Sequence, residues 1–414
     1  MEELKEGWRR VRLGDVIDFN PKETLKKNTM SKYVEMAQLQ CFARNIIGYS
    51  FKEYKGGTKF RNGDTLLARI TPCLENGKTA FVDILEEDEV GFGSTEYIVL
   101  RKKEGYTDEN YIFYLAISDL FRQIAIKSMT GTSGRQRVQT EVLKNSEIVI
   151  PEVNIQKKIA SILSLLDEKI ELNRKINQNL EEAAQTLFKR WFIDFEFPNE
   201  EGKPYKSSGG KMIESELGEI PEGWRVGKLG EIIEINPKEN LKKLEKKIYI
   251  EMKCLSETSS IISEYYEREF TGTGTKFKNK DTLMARITPC LENGKIGYVN
   301  FLKDNDIGWG STEFNILRSQ NNLPKELSYF IARSKNFLDY AISNMNGSSG
   351  RQRVNGKILE EYNIVISPEN IYKKFGKVSN SIMNQIENNR KEIEKLIELR
   401  DYLLPRLMSG EISV

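Results

Sequence analysis

From Asn154 to about Trp191 the chain has no glycine or proline, and its seam positions step by four and three: Ile159, Leu163, Leu166, Ile170, Asn173, Asn177, Leu180, Ala184, Leu187 and Trp191. That spacing predicts one amphipathic helix with a coiled-coil-like stripe. Asn154 is read as its N-cap, and at 1.5 Å per residue it is about 55–60 Å long. A weaker stripe in the same register, Phe375, Ser379, Ile382, Ile386, Asn389, Ile393, Leu396, Arg400 and Leu403, predicts a second helix. It runs from Asn370 to about Leu404, where Pro405 intervenes. A long apolar stripe needs a cover, and each helix most simply covers the other.

Ahead of the first helix the pattern is mixed. Arg12–Asn20 alternates briefly and stops at Asn20-Pro21. Asn62-Gly63-Asp64 signals a turn. After it Leu66, Ala68 and Ile70 share one strand face, and Thr65, Leu67 and Arg69 the other. Tyr97–Leu100 and Glu147–Ile150 read as strands, and Asn110–Ile126 as helical. The whole order then recurs. Gly57–Lys78, GTKFRNGDTLLARITPCLENGK, returns as Gly274–Lys295 with three changes: Arg61/Lys278, Gly63/Lys280 and Leu67/Met284. Asn20-Pro-Lys-Glu23, Gly93-Ser-Thr-Glu96 and Ser133-Gly-Arg-Gln-Arg-Val138 return as Asn236–Glu239, Gly310–Glu313 and Ser349–Val354, and even Asn173-Arg-Lys175 returns as Asn389–Lys391. The chain is a duplication of one domain plus one helix.

Composition narrows the chemistry. The 414 residues allow two or three domains. A formal net charge of +2 does not demand a polyanion partner, so one would need a local basic surface. Cys41, Cys73, Cys254 and Cys290 form no Cys-x-x-Cys pair and read as free thiols in a reducing cytoplasm. No apolar run suggests a signal peptide or a membrane span, so a cytoplasmic location is expected. The chain has no histidine, which removes Ser–His–Asp and Cys–His catalysis and the usual zinc ligands.

With this order in place, the chain resembles the specificity subunit of Type I restriction–modification systems over its whole length. The resemblance rests on the succession domain, helix, domain, helix. It also rests on Gly7-Trp8 with Leu13-Gly14, Gly223-Trp224 with Leu229-Gly230, Gly63-Asp64, Ala68-Arg69-Ile70, the Ser-Thr-Glu strand entry, and the join from Phe195–Pro198 to Glu219–Trp224. The second copy departs from it at Lys280, where the first has Gly63. The fold implied is α+β, a pseudo-twofold internal duplication with two similar target-recognition domains separated by two long antiparallel spacer helices. The expected parts are a recognition domain over 1–150, a spacer helix over 151–197, a linker over 198–220, a second recognition domain over 221–367 and a second spacer helix over 368–414.

The resemblance implies a non-catalytic subunit that reads a bipartite double-stranded DNA target, one half-site per domain. Two methyltransferase subunits would dock on the helices and methylate adenine, and motor-endonuclease subunits would join for cleavage. No cofactor is expected in this chain; S-adenosylmethionine, Mg and ATP belong to the partners.

The residues suggest where DNA would be met. Arg135, Gln136 and Arg137, with Arg351, Gln352 and Arg353, lie in Gly/Ser-flanked loops that let backbone approach a surface. Arg can pair with guanine and Gln with adenine, or Arg can bind phosphate without reading sequence. The same loops would also serve as solvated turns. Lys59, Arg69 and Lys78, with Lys276, Arg286 and Lys295, form a second set. Asn76-Gly77-Lys78 and Asn293-Gly294-Lys295 look like hairpin turns, and the strand arginines can instead pair with carboxylates. Gln38–Gly56 and Lys253–Gly274 differ most between the copies, as base readers or as drifting loops would. Asn173 and Asn389 interrupt equivalent points of the two seams, so they are expected to face each other and fix the helix register.

Enzyme motifs fail. Glu251-Met-Lys253 has Glu35-Met-Ala37 as its counterpart, and Pro72 occupies the glycine position that a phosphate loop ending in Gly77-Lys78-Thr79 needs. A self-contained metal-dependent nuclease and a coiled-coil scaffold that does not bind DNA remain the alternatives.

Overall fold

The computed structural model describes residues 5–320 and 322–414. The chain divides into two compact units, residues 1–171 with 393–414, and residues 172–392. Each unit carries a share of both long helices, Val153–Phe192 and Glu369–Met408.

In the first unit Ile17–Phe19, Tyr97–Lys102, Thr65–Ala68 and Thr79–Phe81 form one antiparallel sheet in that spatial order. A second sheet runs Ser50–Glu53, Met30–Val34, Gly91–Gly93, Thr58–Phe60, with a parallel pair at its centre. Trp8–Arg12 pairs with Glu147–Pro151. Thr65–Ala68 is buried on both faces, which explains the apolar run Leu66-Leu67-Ala68. The helical run expected over Asn110–Ile126 is two helices, Glu109–Ile117 and Asp119–Lys127. Ser118 leaves the helical region at φ −68°, ψ 150° and its hydroxyl caps the second.

The second unit repeats both sheets, as Ile233–Ile235, Phe314–Ser319, Thr282–Ala285, Ile296–Tyr298, and as Tyr266–Glu269, Lys246–Ile250, Ile307–Gly310, Thr275–Lys278. The expected linker is folded. Met212–Ser215 and Gly218–Pro221 form a hairpin, and Phe197 stacks between Tyr205 and Trp224 at ring-centroid distances of 4.6 and 4.9 Å.

Within each unit the two helices run antiparallel. In the first, Ile159 and Leu163, early in one helix, share a core with Leu407 and Met408, late in the other. In the second, Phe188 and Phe192 pack with Tyr372 and Phe375. Each such large buried side chain contributes about 1.5–3 kcal/mol. Two helix boundaries differ from expectation. The first helix starts at Val153, which places Asn154 inside its first turn. Pro405 lies within the second, which continues to Met408. Near a helix end Pro forfeits one backbone bond, and burial of Leu407 and Met408 offsets it.

The Gly63/Lys280 departure leaves the turn intact, with φ +86° and +71°. The left-handed conformation costs a side-chain-bearing residue about 1–2 kcal/mol. Lys280→Gly is therefore expected to stabilise the second unit by about 1 kcal/mol, and Gly63→Lys to destabilise the first by a similar amount. Thermal denaturation checks the pair. A lower melting temperature for Lys280→Gly would mean that the lysine's packing over the Tyr298 ring, 5.8 Å away, outweighs the strain.

Candidate nucleic-acid interface

The repeated motifs turn out to hold the scaffold. Asn20 takes φ +52° and its Oδ1 accepts the Val99 N–H at 2.9 Å; Asn236 does the same for Ile316. Asp64, fully buried, receives a bidentate pair from Arg101 at 2.6 and 2.7 Å, and Arg101 also reaches Glu23 at 2.6 Å. Asp281, Arg318 and Glu239 repeat the set. Burial raises the Asp64 carboxyl above the usual carboxylate range, against the pull of Arg101. The motifs repeat visibly in the sequence, but the partners within each set are about 40–80 residues apart, so no local pattern reveals their roles.

Beside this scaffold each unit presents a basic surface. The Thr130–Arg137 loop is closed by Thr130–Arg137 backbone bonds of 2.9 and 3.0 Å. It is pinned to the strand end by Val138 N–H to the Arg69 carbonyl at 2.9 Å and Thr71 N–H to the Gln136 carbonyl at 3.0 Å. Arg137 is spent on Glu96 through a bidentate pair at 2.7 and 3.0 Å, which lowers the Glu96 carboxyl. Arg353 holds Glu313 in the same way. These arginines fix the loop base. Arg135 and Arg351, at the exposed tips, have no side-chain partner among the described residues.

Arg69 Nε forms an ion pair with Glu96 at 3.9 Å, as a strand arginine facing a carboxylate can, but neither it nor Arg286 Nε has a hydrogen-bond partner among the described residues. Such unspent donors are costly unless a ligand takes them. Arg69 lines a cleft of about 540 Å³ with Lys22, Glu23, Lys59, Thr95 and Tyr97, three cationic side chains against one carboxylate that Arg61 and Arg101 already hold. The Lys59 ammonium donates to the Glu23 carbonyl and sits 5.8 Å over Tyr54. Lys276 sits 5.2 Å over Phe270. The structure thus joins Lys59 and Arg69 in one cleft, bordered by the Arg135 loop through the strand end. It adds Lys22, inside the repeated Asn-Pro-Lys-Glu motif, which sequence reasoning passed over.

Lys78 is not part of this surface. Its ammonium donates to the Met36 carbonyl at 2.7 Å and ties down the start of the variable segment. Nor is Asn76-Gly77-Lys78 a hairpin turn. Gly77 N–H reaches the Leu74 carbonyl and Lys78 N–H that of Cys73, while Gly77 takes φ +78°. That is a Schellman closure of one helical turn, where glycine supplies the left-handed residue. Gly294 and Lys295 repeat it.

Asn173 and Asn389 are both buried in the helix seam but do not face each other. Asn389 donates to Asn177 Oδ1 at 2.8 Å, and Asn173 to Glu392 Oε2 at 2.8 Å. Direct pairing would need the register to slip by about one turn, which the Asn177–Asn389 bond and the bond from Asn177 to the Ile386 carbonyl oppose. Among the described residues no group of three Cys, Asp or Glu is placed to hold a metal ion, and no helix is long and apolar enough to cross a membrane.

Residues 5–182 and 221–398 each match the family model of the Type I restriction modification DNA specificity domain. The chain belongs to this family. The specificity subunit is 30% identical over 325 residues to the Type I restriction enzyme MjaIX specificity subunit of Methanocaldococcus jannaschii, covering 75% of this chain and 71% of that one. It is 26% identical over 470 residues to the HindI specificity subunit of Haemophilus influenzae, covering 98% and 99%. It shares its fold with the solved S subunit of the M. genitalium system at a TM-score of 0.57, with 16% identity and 98% of both chains covered. The duplicated parts are therefore DNA target-recognition domains, each followed in the chain by one long helix.

Proposed function

We propose that this specificity subunit reads a bipartite, near-palindromic DNA target, one half-site per recognition domain. The observation that carries the reading is the same pair of uncommitted arginines in both domains, Arg135 and Arg351 at open loop tips, with Arg69 and Arg286 on the strand ends to which those loops are pinned. Matching readers prefer matching half-sites. Antiparallel pairing of the repeated helices is the relation expected of a twofold, which inverts the half-sites on the duplex, as protein symmetry is mirrored in operators. An unread gap of about one helical turn is expected between half-site centres, as in other two-site readers. Asymmetry in the target should trace to Gln38–Gly56 and Lys253–Gly274.

The spacer helices would dock two modification methyltransferase subunits, with motor-endonuclease subunits joining for cleavage. S-adenosylmethionine, Mg and ATP would be held by those partners, and this chain would be non-catalytic. Methylation-site sequencing with the native complex tests the target. Two unrelated half-sites would mean that the shared loops do not read bases. Turnover of DNA by the pure chain with Mg and S-adenosylmethionine would overturn the non-catalytic assignment.

A further inference from the structure

In the second unit a relay of buried polar groups runs from the first spacer helix into the variable segment. Glu181 is 3% exposed. Its Oε1 accepts the Tyr329 hydroxyl at 2.5 Å, and its Oε2 accepts the Ser260 N–H at 3.0 Å and the Ser260 hydroxyl at 2.7 Å. The Tyr329 oxygen accepts Arg333 Nε at 3.1 Å. The two remaining Arg333 nitrogens donate to five carbonyls. Those of Ser256, Glu257 and Ser259 lie at 3.0, 2.7 and 2.7 Å, and those of Gly294 and Ile296 at 2.6 and 2.8 Å. Residues 256–260 are thus held by one guanidinium against the Schellman turn and by one carboxylate against the helix. The second helix also grips the segment. Arg390 Nη2 lies 3.3 Å from the Tyr265 hydroxyl, and the Tyr265 ring stacks on Phe301 at 3.9 Å.

The Glu181–Tyr329–Arg333 relay is not inherited by the other copy. The positions equivalent to Glu181, Tyr329 and Arg333 are Ile397, Phe113 and Ile117. There a different arginine does similar work. Arg122, buried, donates to the carbonyls of Leu74 and Glu75, each at 3.0 Å, and lies 4.5 Å over Phe42 of the first variable segment. Two unrelated solutions to one task argue that the task matters. A loop whose backbone carbonyls face a buried guanidinium is fixed in shape, and readout needs the contacting groups held to about 0.5 Å.

We propose that Glu181, Tyr329 and Arg333 are positioning residues that set the sequence preference of the second recognition domain, holding residues 256–260 in the shape that reads DNA. This rests on the DNA-reading role proposed above. The test uses the native complex with its modification partners and a DNA library randomised in both half-sites. Arg333→Met is expected to relax preference in one half-site by about tenfold, the equivalent of roughly one mismatch, and to leave the other unchanged. Arg122→Met should relax the opposite half-site. Tyr329→Phe, which removes one hydroxyl, should give a smaller shift in the same half-site as Arg333→Met. It keeps the test open if the arginine variant does not fold. Arg333→Lys, with three donors for five carbonyls, should fall between Arg333→Met and the parent.

Amide exchange at 256–260 in the chain alone should quicken by about tenfold in Arg333→Met. Equal relaxation of both half-sites, or faster exchange with an unchanged preference, would overturn the positioning role. A parent complex without preference in either half-site would overturn the DNA-reading role as well, and the exchange measurement distinguishes that failure from a failure of the anchor.

Discussion

Asp167→Ala is expected to destabilise the first unit by about 3 kcal/mol, the lower end of what breaking a buried ion pair costs. Asp167 Oδ1 accepts Arg400 Nη1 at 2.9 Å and its Oδ2 accepts the Tyr114 hydroxyl at 2.7 Å, with side-chain exposures of 5% for Asp167 and 7% for Arg400. The alanine variant removes the carboxylate that accepts from Arg400 Nη1 and from the buried Tyr114 hydroxyl. Asp401, mostly exposed, still meets the outer edge of Arg400 at 2.8 and 3.0 Å, which keeps the loss from the upper end of the range. Replacing the pair together, Asp167→Leu with Arg400→Met, removes both desolvation costs and is expected to be neutral or stabilising. Urea unfolding of the intact chain, followed through the first unit's transition, measures both. A single variant that costs under about 1 kcal/mol, or a double variant as unstable as the single, would show that the pair is not what locks the seam.

The same pair shows what the sequence pattern revealed and what it concealed. The period of the seam identified both helices, because apolar residues at steps of three and four need no knowledge of the partner. It rated the second helix weaker because Ser379, Asn389 and Arg400 sit in its stripe. Each of these is paired: Ser379 with Glu326 at 2.5 Å, Asn389 with Asn177, Arg400 with Asp167. Pairing depends on the register of two helices far apart in sequence, and no local rule supplies that. The Asn173–Asn389 contact failed for this reason, since equivalence in a repeat does not make two residues opposite in an antiparallel pair. The repeated loops were legible as a set, but not the division of labour inside them. Arg135 and Arg137 are two residues apart, yet only Arg137 meets Glu96, in the turn before a strand about 40 residues earlier. Asn-Gly misled in a different way, because glycine at positive φ serves a hairpin and a Schellman closure alike.

Arg135→Ala with Arg351→Ala is expected to weaken DNA binding by the native complex by about a hundredfold, from about 1–3 kcal/mol for each lost arginine contact. Both tips are exposed, flanked by Gly134 and Gly350 at φ +78° and +76°, and hold no carboxylate among the described residues. Their charge is therefore available to a ligand, whereas that of Arg137 and Arg353 is largely spent. A salt titration separates two modes of contact. If the tips bind phosphate, the slope of log affinity against log salt should shrink by about 1.8, at 0.9 per contact, with the loss uniform over sequences. If they read guanine, the slope should change little and discrimination at one base pair in each half-site should collapse. Arg137→Ala should behave differently, because it leaves Glu96 to Arg69 alone and loosens the loop base, so stability and affinity fall together. A double variant at the tips that binds within about threefold of the parent, with an unchanged slope, would remove these loops from the interface. The basic cleft of Lys22, Lys59 and Arg69 would then have to hold the DNA alone.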